Sequence, residues 1–263
     1  MSDSKVALLT GRLSSRLRLL GYNSFNDYYR HVVSDQTERV HMLDAISTNE
    51  THFFREPSHF QFLSGHVFPR WQAQAATGQR SRHIRVWSAG CSTGQEPYSL
   101  AMVLRDRFSP LDGWVVEILA TDLSMRALSV AERGIWQANK TNEIPPHYRN
   151  AFLLKGQNGL EGKCKIVPEI RSMVRFFRLN LNDSSYPLNG TFDLIFCRNV
   201  LIYFDQENRF SVFRRVLNFL SPAGYLFLGH SESLHTMHPL LTVRPTIYAL
   251  AGKTPKNRHA GQF

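Results

Sequence analysis

The 263-residue sequence predicts an α/β protein. Its main part is a doubly wound, mostly parallel sheet with an antiparallel edge strand; a small N-terminal all-helical domain precedes it and a small β-subdomain is inserted in it. Three observations carry this prediction. From His83 onward, short apolar strand patterns alternate with amphipathic helical patterns, which argues for parallel strands joined by right-handed crossovers. Before that point, the first fifty or so residues hold only helical periodicity. Between about 137 and 169 the alternation is broken by Pro145, Pro146, Gly156, Gly159 and Gly162, the mark of an insertion.

Taken in order, Val6, Leu9, Leu13, Leu17 and Leu20 recur at three- and four-residue spacing and make one stripe of a first helix, which is expected to bury. Lys5, Arg12 and Arg16 line its edge. Those cations are either a solvated flank or a surface for docking an acidic substrate, with Arg12 and Arg16 the candidate docking residues. Gly21 marks a stop, and two more helices follow over 24–34 and 37–47. The helical domain is assigned to 1–65 and a linker to 66–82, of which 72–82 is the most polar part. The α/β domain is assigned to 83–252 and a flexible tail to 253–263. Within the α/β domain, "HIRVWSAG", "WVVEILATD", "SMVRFFRLNL", "TFDLIFCRN" and "GYLFLG" read as strands. "EPYSLAMVLRDRF", "SMRALSVAERGIW" and "QENRFSVFRRVLNFL" read as helices, and "PTIYALA" returns as the antiparallel edge.

The composition sets limits on function. A hydrophobic content of 43% supplies a core, and neither a leader pattern nor a run of about 18 apolar residues is present, so a cytoplasmic location is expected. Cys91, Cys164 and Cys197 are odd in number and widely spaced, which suits buried thiols rather than a disulfide or metal framework. A net charge of +10 and a pI near 9.8 predict attraction to an acidic partner without choosing one.

The loop "SAGCSTGQEPYSLAM" joins the first strand to the first helix of the sheet, where doubly wound folds bind ligands. Its spacing is Gly90-x-x-x-Gly94. This is neither the G-x-G-x-x-G of dinucleotide folds nor a Gly-Lys-Ser/Thr phosphate loop. Asp122, ending the second strand, can accept hydrogen bonds from both ribose hydroxyls of an adenosine, although it can also simply cap the helix that begins at Ser124. Glu96 and Asp122 make the site acidic, which suits a cation such as S-adenosylmethionine, and the loop and helix N-terminus offer N–H groups to its carboxylate. His52, His59 and His66, like His230, His235 and His238, have loosely ligand-like gaps, yet neither group brings cysteine or carboxylate at familiar spacing, so no metal is expected. Phe53, Phe54, Phe60 and Phe62 are expected to pack an interface rather than stack bases.

Six blocks, "ISTNETHFFREPSHFQFL", "WSAGCSTGQEPYSLA", "ILATDLS", "FFRLNLND", "FDLIFCRNVLIYFD" and "GYLFLGHSESL", resemble in order the CheR family of chemotaxis receptor glutamate methyltransferases. The resemblance implies a class I S-adenosylmethionine-dependent methyltransferase fold behind a small helical domain. It implies cofactor contacts at Asn49, Thr51, Arg55, Gly90, Glu96, Asp122, Asn180, Leu181, Arg198 and Asn199, with Arg55 and Tyr203 orienting the methyl acceptor. It implies S-adenosylmethionine as cofactor, S-adenosylhomocysteine as product, and the cytoplasmic signalling domain of chemoreceptors as partner. A receptor C-terminal tail peptide is a further candidate partner at the insertion, and a monomer that binds no nucleic acid is expected. Gln95 replaces a second glutamate common in the family, and the extra leading helix of many members is expected to be missing. The chemistry is consistent with this: a glutamate carboxylate is already anionic at neutral pH, so transfer needs in-line positioning rather than a base or a metal. The alternatives are a nucleic-acid methyltransferase, against which Arg198-Asn199-Val200-Leu201 stands where an Asn/Asp-Pro-Pro-aromatic turn is usual, and a catalytically silent S-adenosylmethionine-binding module.

Overall fold

A computed structural model describes residues 3–157, 159–232 and 240–251. Three helices open the chain: α1 (Asp3–Leu20), α2 (Phe25–Ser34) and α3 (Gln36–Ile46). Ser24 caps α2 through the Asp27 amide, and Asp35 caps α3 through those of Thr37 and Glu38, each satisfying N–H groups a helix start leaves open. Leu17, Tyr28 and Val32 form their small core, with Leu13, Tyr22 and Met42 packed around it. The α1 stripe therefore buries only at its middle; Val6 and Leu20, at its two ends, stay exposed because α1 overhangs so small a core.

The basic edge of α1 departs from expectation. Arg16 turns inward and forks onto Glu38 (Nε to Oε1, 2.8 Å; Nη2 to Oε2, 2.5 Å), where the Tyr28 hydroxyl also donates. Arg12 donates to the Ile46 carbonyl and to Thr48 Oγ1. Both arginines hold α1 against α3 and its exit, Arg16 through the Glu38 carboxylate it shares with Tyr28 and Arg12 through the Ile46 carbonyl and Thr48.

The expected linker at 66–82 is helical through Ala76. Helix α4 (Pro57–Phe62), a π-turn (Leu63–Val67) and α5 (Phe68–Ala76) form one continuous run. Phe60, Phe62, Leu63, Val67, Phe68 and Trp71 are buried along it, and Phe62 meets Tyr225 edge-on at 5.5 Å. The packed face thus belongs to the α/β core, and only 77–82 remains a connector. Alanine and glutamine, which make 72–76 look like linker, are good helix formers.

The main sheet has the order β6-β2-β1-β7-β8-β10-β9. Its strands are β1 (His83–Ala89), β2 (Val115–Asp122), β6 (Val174–Arg178), β7 (Phe192–Cys197), β8 (Leu220–Leu228), β9 (Leu240–Arg244) and β10 (Ile247–Leu250). The first five positions run parallel, and β10 is antiparallel to both of its neighbours. β10 is thus one place in from the edge, which is formed by the largely exposed β9. Helices α6 (Gln95–Arg107), α7 (Met125–Arg133) and α10 (Gln206–Leu217) cover the faces. Along β7, Leu194 and Phe196 enter one buried cluster while Ile195 and Cys197 enter the other, the two-sided burial of a central parallel strand.

The insertion is a second sheet, order β3-β5-β4, made by β3 (Ile135–Gln137), β4 (Leu153–Lys155) and β5 (Lys163–Ile166), with α8 (Pro146–Phe152) and α9 (Pro168–Arg171) beside it. The three cysteines are free and buried. No helix among the described residues is long and apolar enough to cross a membrane. The expected tail, 253–263, lies outside the described residues, as do His235 and His238.

Candidate cofactor and acceptor site

Strand order reverses between β1 and β7, so their carboxyl ends open a crevice, and the loop 90–94 lines it. Its first amides, Gly90 and Cys91, both donate to the Thr121 carbonyl (2.7 and 2.9 Å), pinning the loop to β2. Gly90 has φ +84°, and a Cβ there would stand 2.3 Å from Val200 Cγ2, so only glycine lets the loops after β1 and β7 approach this closely.

Asp122 braces this turn. Its Oδ2 accepts from the Ser92 amide (2.7 Å) and its Oδ1 from the Ser124 amide (2.9 Å). Ser124 Oγ, not Asp122, accepts from Ala127 and caps α7. Each Asp122 oxygen keeps a lone pair for a further donor. Burial raises its carboxyl above the usual aspartate value, against the pull of the Ser124 and Ser92 amides. A cationic or hydroxyl-bearing ligand relieves that cost.

Glu96 sits in the first turn of α6, accepting from Ser88 Oγ (2.7 Å) and facing Arg198 Nη1 at 3.3 Å. Burial raises its carboxyl too, opposed by Arg198 and Ser88. The Arg198 side chain is 1% exposed. Its Nη2 donates to the Arg55 carbonyl and lies 3.3 Å from Glu56 Oε2, while Nε and Nη1 have no hydrogen-bond partner. The guanidinium therefore clasps the segment that joins the helical domain to α4. Ser92 Oγ reaches the Asn49 carbonyl (3.1 Å), and Ser99 Oγ accepts from the Phe54 amide (3.0 Å). These bonds tie the 49–55 segment to the loop 90–94 and to α6. The half-buried Arg55 side chain donates to the Glu50 carbonyl.

Asn180 and Leu181 follow β6, where the Leu179 amide donates to the Asp122 carbonyl. Asn180 makes a local turn with Asn182 and Asp183, and buried Leu181 lends its carbonyl to Tyr186 and Arg215. Asn199, at φ +57°, and Tyr203, 59% exposed on a single 3-10 turn (Leu201–Tyr203), belong to the loop after β7. The residues read from the sequence thus fall at the end of β2, on the segments that follow β1, β6 and β7 and on the stretch 49–55 that precedes α4, except Arg12 and Arg16, which lie in the helical domain.

Several contributors were not foreseen. Buried Glu232, in the "GYLFLGHSESL" block, accepts from the amides of Asn199, Leu201, Ile202 and Gly229 and so fixes the β7 loop. Among the described residues, the non-glycine positions with positive φ are Phe54, Glu56, Ser92, Asn199 and Thr246. Such strain gathers where surrounding structure over-determines the backbone. The histidine periodicity dissolves: His52 pairs with Glu143, His66 stacks on Phe62, and His59 is buried, its imidazole held neutral down to about pH 3, chiefly by burial. Phe53 packs on Trp136 and Phe54 on Tyr148, so this segment joins the insertion through an apolar seam.

A tight glycine loop after β1, a half-buried acid ending β2 and this strand order define a class I S-adenosylmethionine-dependent methyltransferase. Residues 49–248 match the family model described as CheR methyltransferase, SAM binding domain, and residues 1–47 match CheR methyltransferase, all-alpha domain. The chain belongs to the CheR methyltransferase family. It is 37% identical over 252 residues to chemotaxis protein methyltransferase 2 of Pseudomonas aeruginosa, covering 95% of this chain and 87% of that one. It is 36% identical over 255 residues to the chemotaxis protein methyltransferase of Escherichia coli, covering 95% and 85%.

Proposed function

We propose that the protein transfers the methyl group of S-adenosylmethionine to glutamate side chains on the cytoplasmic signalling domain of chemoreceptors, forming methyl esters. The observation that carries this reading is Arg198, which holds the Arg55 backbone against the acidic end of the sheet. The donor set suits the cofactor: Asp122 offers free lone pairs to ribose hydroxyls, the loop 90–94 gives small residues, and the acids favour a cation. Asn49, Thr51, Asn180, Leu181 and Asn199 would complete its cradle. When bound, the cofactor supplies a methyl group made electrophilic by a sulfonium.

The protein's own groups then position the acceptor. A glutamate reaches the site already ionised, so no base is called for. The Arg55 fork grips one carboxylate oxygen and leaves the other aimed at the methyl group. The exposed Tyr203 hydroxyl donates a second bond that fixes the approach. The roles read for Arg12 and Arg16 in docking require their guanidiniums to leave Glu38, Ile46 and Thr48; among the described side chains of α1 it is Arg18 whose guanidinium stands exposed, and it is the better docking cation.

Methyl-labelled cofactor incubated with the protein and either receptor membranes or RNA tests the reading. Label is expected in receptor and is expected to leave as volatile methanol in alkali. Label stable to alkali, or found only in RNA, overturns it in favour of a nucleic-acid methyltransferase; cofactor binding with no transfer means a silent module.

A further inference from the structure

A second cluster meets Arg198 at Nη2, the nitrogen that does not face Glu96. It consists of Glu56, at the start of α4, His59, one turn into that helix, and His230, just past β8. His59 is 1% exposed, and its Nε2 lies 2.8 Å from Thr246 Oγ1. The Thr246 hydroxyl gives its single proton to the Pro245 carbonyl at 2.6 Å. Nε2 must therefore be the donor in the His59–Thr246 bond, and the lone pair of His59 sits on Nδ1. Nδ1 has no hydrogen-bond partner and points at Glu56 Oε2, 3.5 Å away, itself buried and without a hydrogen bond. Two acceptors thus face each other across a gap that a bound cation would bridge. The Arg198 guanidinium, 3.3 Å from Oε2, lends charge without an aligned hydrogen bond there.

His230 closes the third side. Its amide donates to Glu56 Oε1 at 3.2 Å, and its Nε2 stands 3.9 Å from Oε2, with the ring crossing that of His59 at 88°. One ligand atom from each residue falls within 4.8 Å of the others. Ligands bonded tetrahedrally at about 2.0–2.2 Å to one ion stand about 3.4 Å apart, so little movement would close the set.

We propose that Glu56, His59 and His230 form a site for a divalent transition cation of the zinc class. Two imidazoles and a carboxylate are the donor set such ions accept, and a histidine ligand whose other nitrogen donates to a protein oxygen is the usual supporting arrangement, here His59 to Thr246. His230, 64% exposed, borders solvent, which supplies the fourth position. The ion ties the start of α4 to the end of β8 beside Arg198 and takes no part in methyl transfer.

The test uses the full chain without an affinity tag, stripped with a chelator and titrated with Zn2+ by calorimetry and with Co2+ by visible absorption. One saturating ion per chain is expected, with intense tetrahedral Co2+ bands and a Zn2+-dependent rise in Tm. The exposed His230→Gln variant, which has little reason to misfold, is expected to weaken binding about tenfold or more and to lose the Tm response. Absence of saturable binding overturns the site. So does binding that survives unchanged in both His230→Gln and His59→Gln, which would place the ion on other histidines, such as the exposed His52–Glu143 pair.

Discussion

Asp122 carries two duties at once: its oxygens tie down the Ser92 and Ser124 amides while remaining open to a ligand. Asp122→Asn keeps the size but removes the charge and presents its amide NH2, a donor, to one of those N–H groups. Loss of a charge-assisted hydrogen bond costs about 1.5–3 kcal/mol, so S-adenosylmethionine affinity is expected to fall about 10- to 150-fold by calorimetry; an unchanged Kd would remove Asp122 from the cradle. Arg55 and Tyr203 call for a different readout. Arg55→Lys keeps charge but loses the bidentate fork, and Tyr203→Phe loses one hydroxyl. Each is expected to lower kcat/KM for receptor about tenfold or more. Tyr203→Phe is expected to leave cofactor Kd within about twofold, because a single hydroxyl on the acceptor side has no share in holding the donor. Both side chains are proposed from the sequence through the strings around them. Glu232 is not, because its partners are backbone amides, which leave no trace in residue type.

At the level of elements, the site depends on two loops pressed together. Gly90→Ala meets both a positive φ, worth about 1–2 kcal/mol against a residue with a Cβ, and Val200 at 2.3 Å. The variant is expected to lose Tm and cofactor affinity, and a second change, Val200→Ala, to recover only part of the Tm, since it removes the clash and not the backbone strain. In the helical domain the Arg16–Glu38 fork is the corresponding tie. Hydrogen bonding to Arg16 holds the Glu38 carboxyl below its ordinary value of 4.5, against desolvation. The folded value is thus lower than the unfolded one. The pair's contribution is present in full above the ordinary glutamate range and is lost as pH falls through 4.5 toward the folded value. Glu38→Gln strands the Arg16 charge, is expected to cost up to about 3 kcal/mol in urea melts at pH 7, and should flatten the acid limb. The strand–helix alternation was legible because parallel strands are apolar on both faces. The run from Pro57 to Ala76 was misread at its second half, and β9 was missed, because one is polar enough to pass for a linker and the other is too exposed to show an apolar pattern.

For the whole molecule, the net charge of +10 must be assigned to something. The sequence offered Arg12 and Arg16 as the surface that finds an acidic partner, but both are engaged within the helical domain, which tertiary contacts alone could reveal. The cluster of Glu56, His59 and His230 escaped for a similar reason: His230 lies 174 residues from Glu56, too far for any spacing rule. For the proposed receptor substrate, attraction is a property of the field of the whole chain more than of two arginines. Exposed charges are screened beyond about 8 Å at physiological salt, whereas a buried pair such as Arg198–Glu96 is screened far less. Raising salt from about 50 to about 300 mM is accordingly expected to raise KM for receptor severalfold. Cofactor Kd, set within the crevice, is expected to change by less than about twofold. Arg18→Glu should add to the salt effect on receptor KM and leave cofactor Kd alone. Equal salt sensitivity of the two constants would mean that the basic surface acts on the crevice and not on the encounter with the receptor.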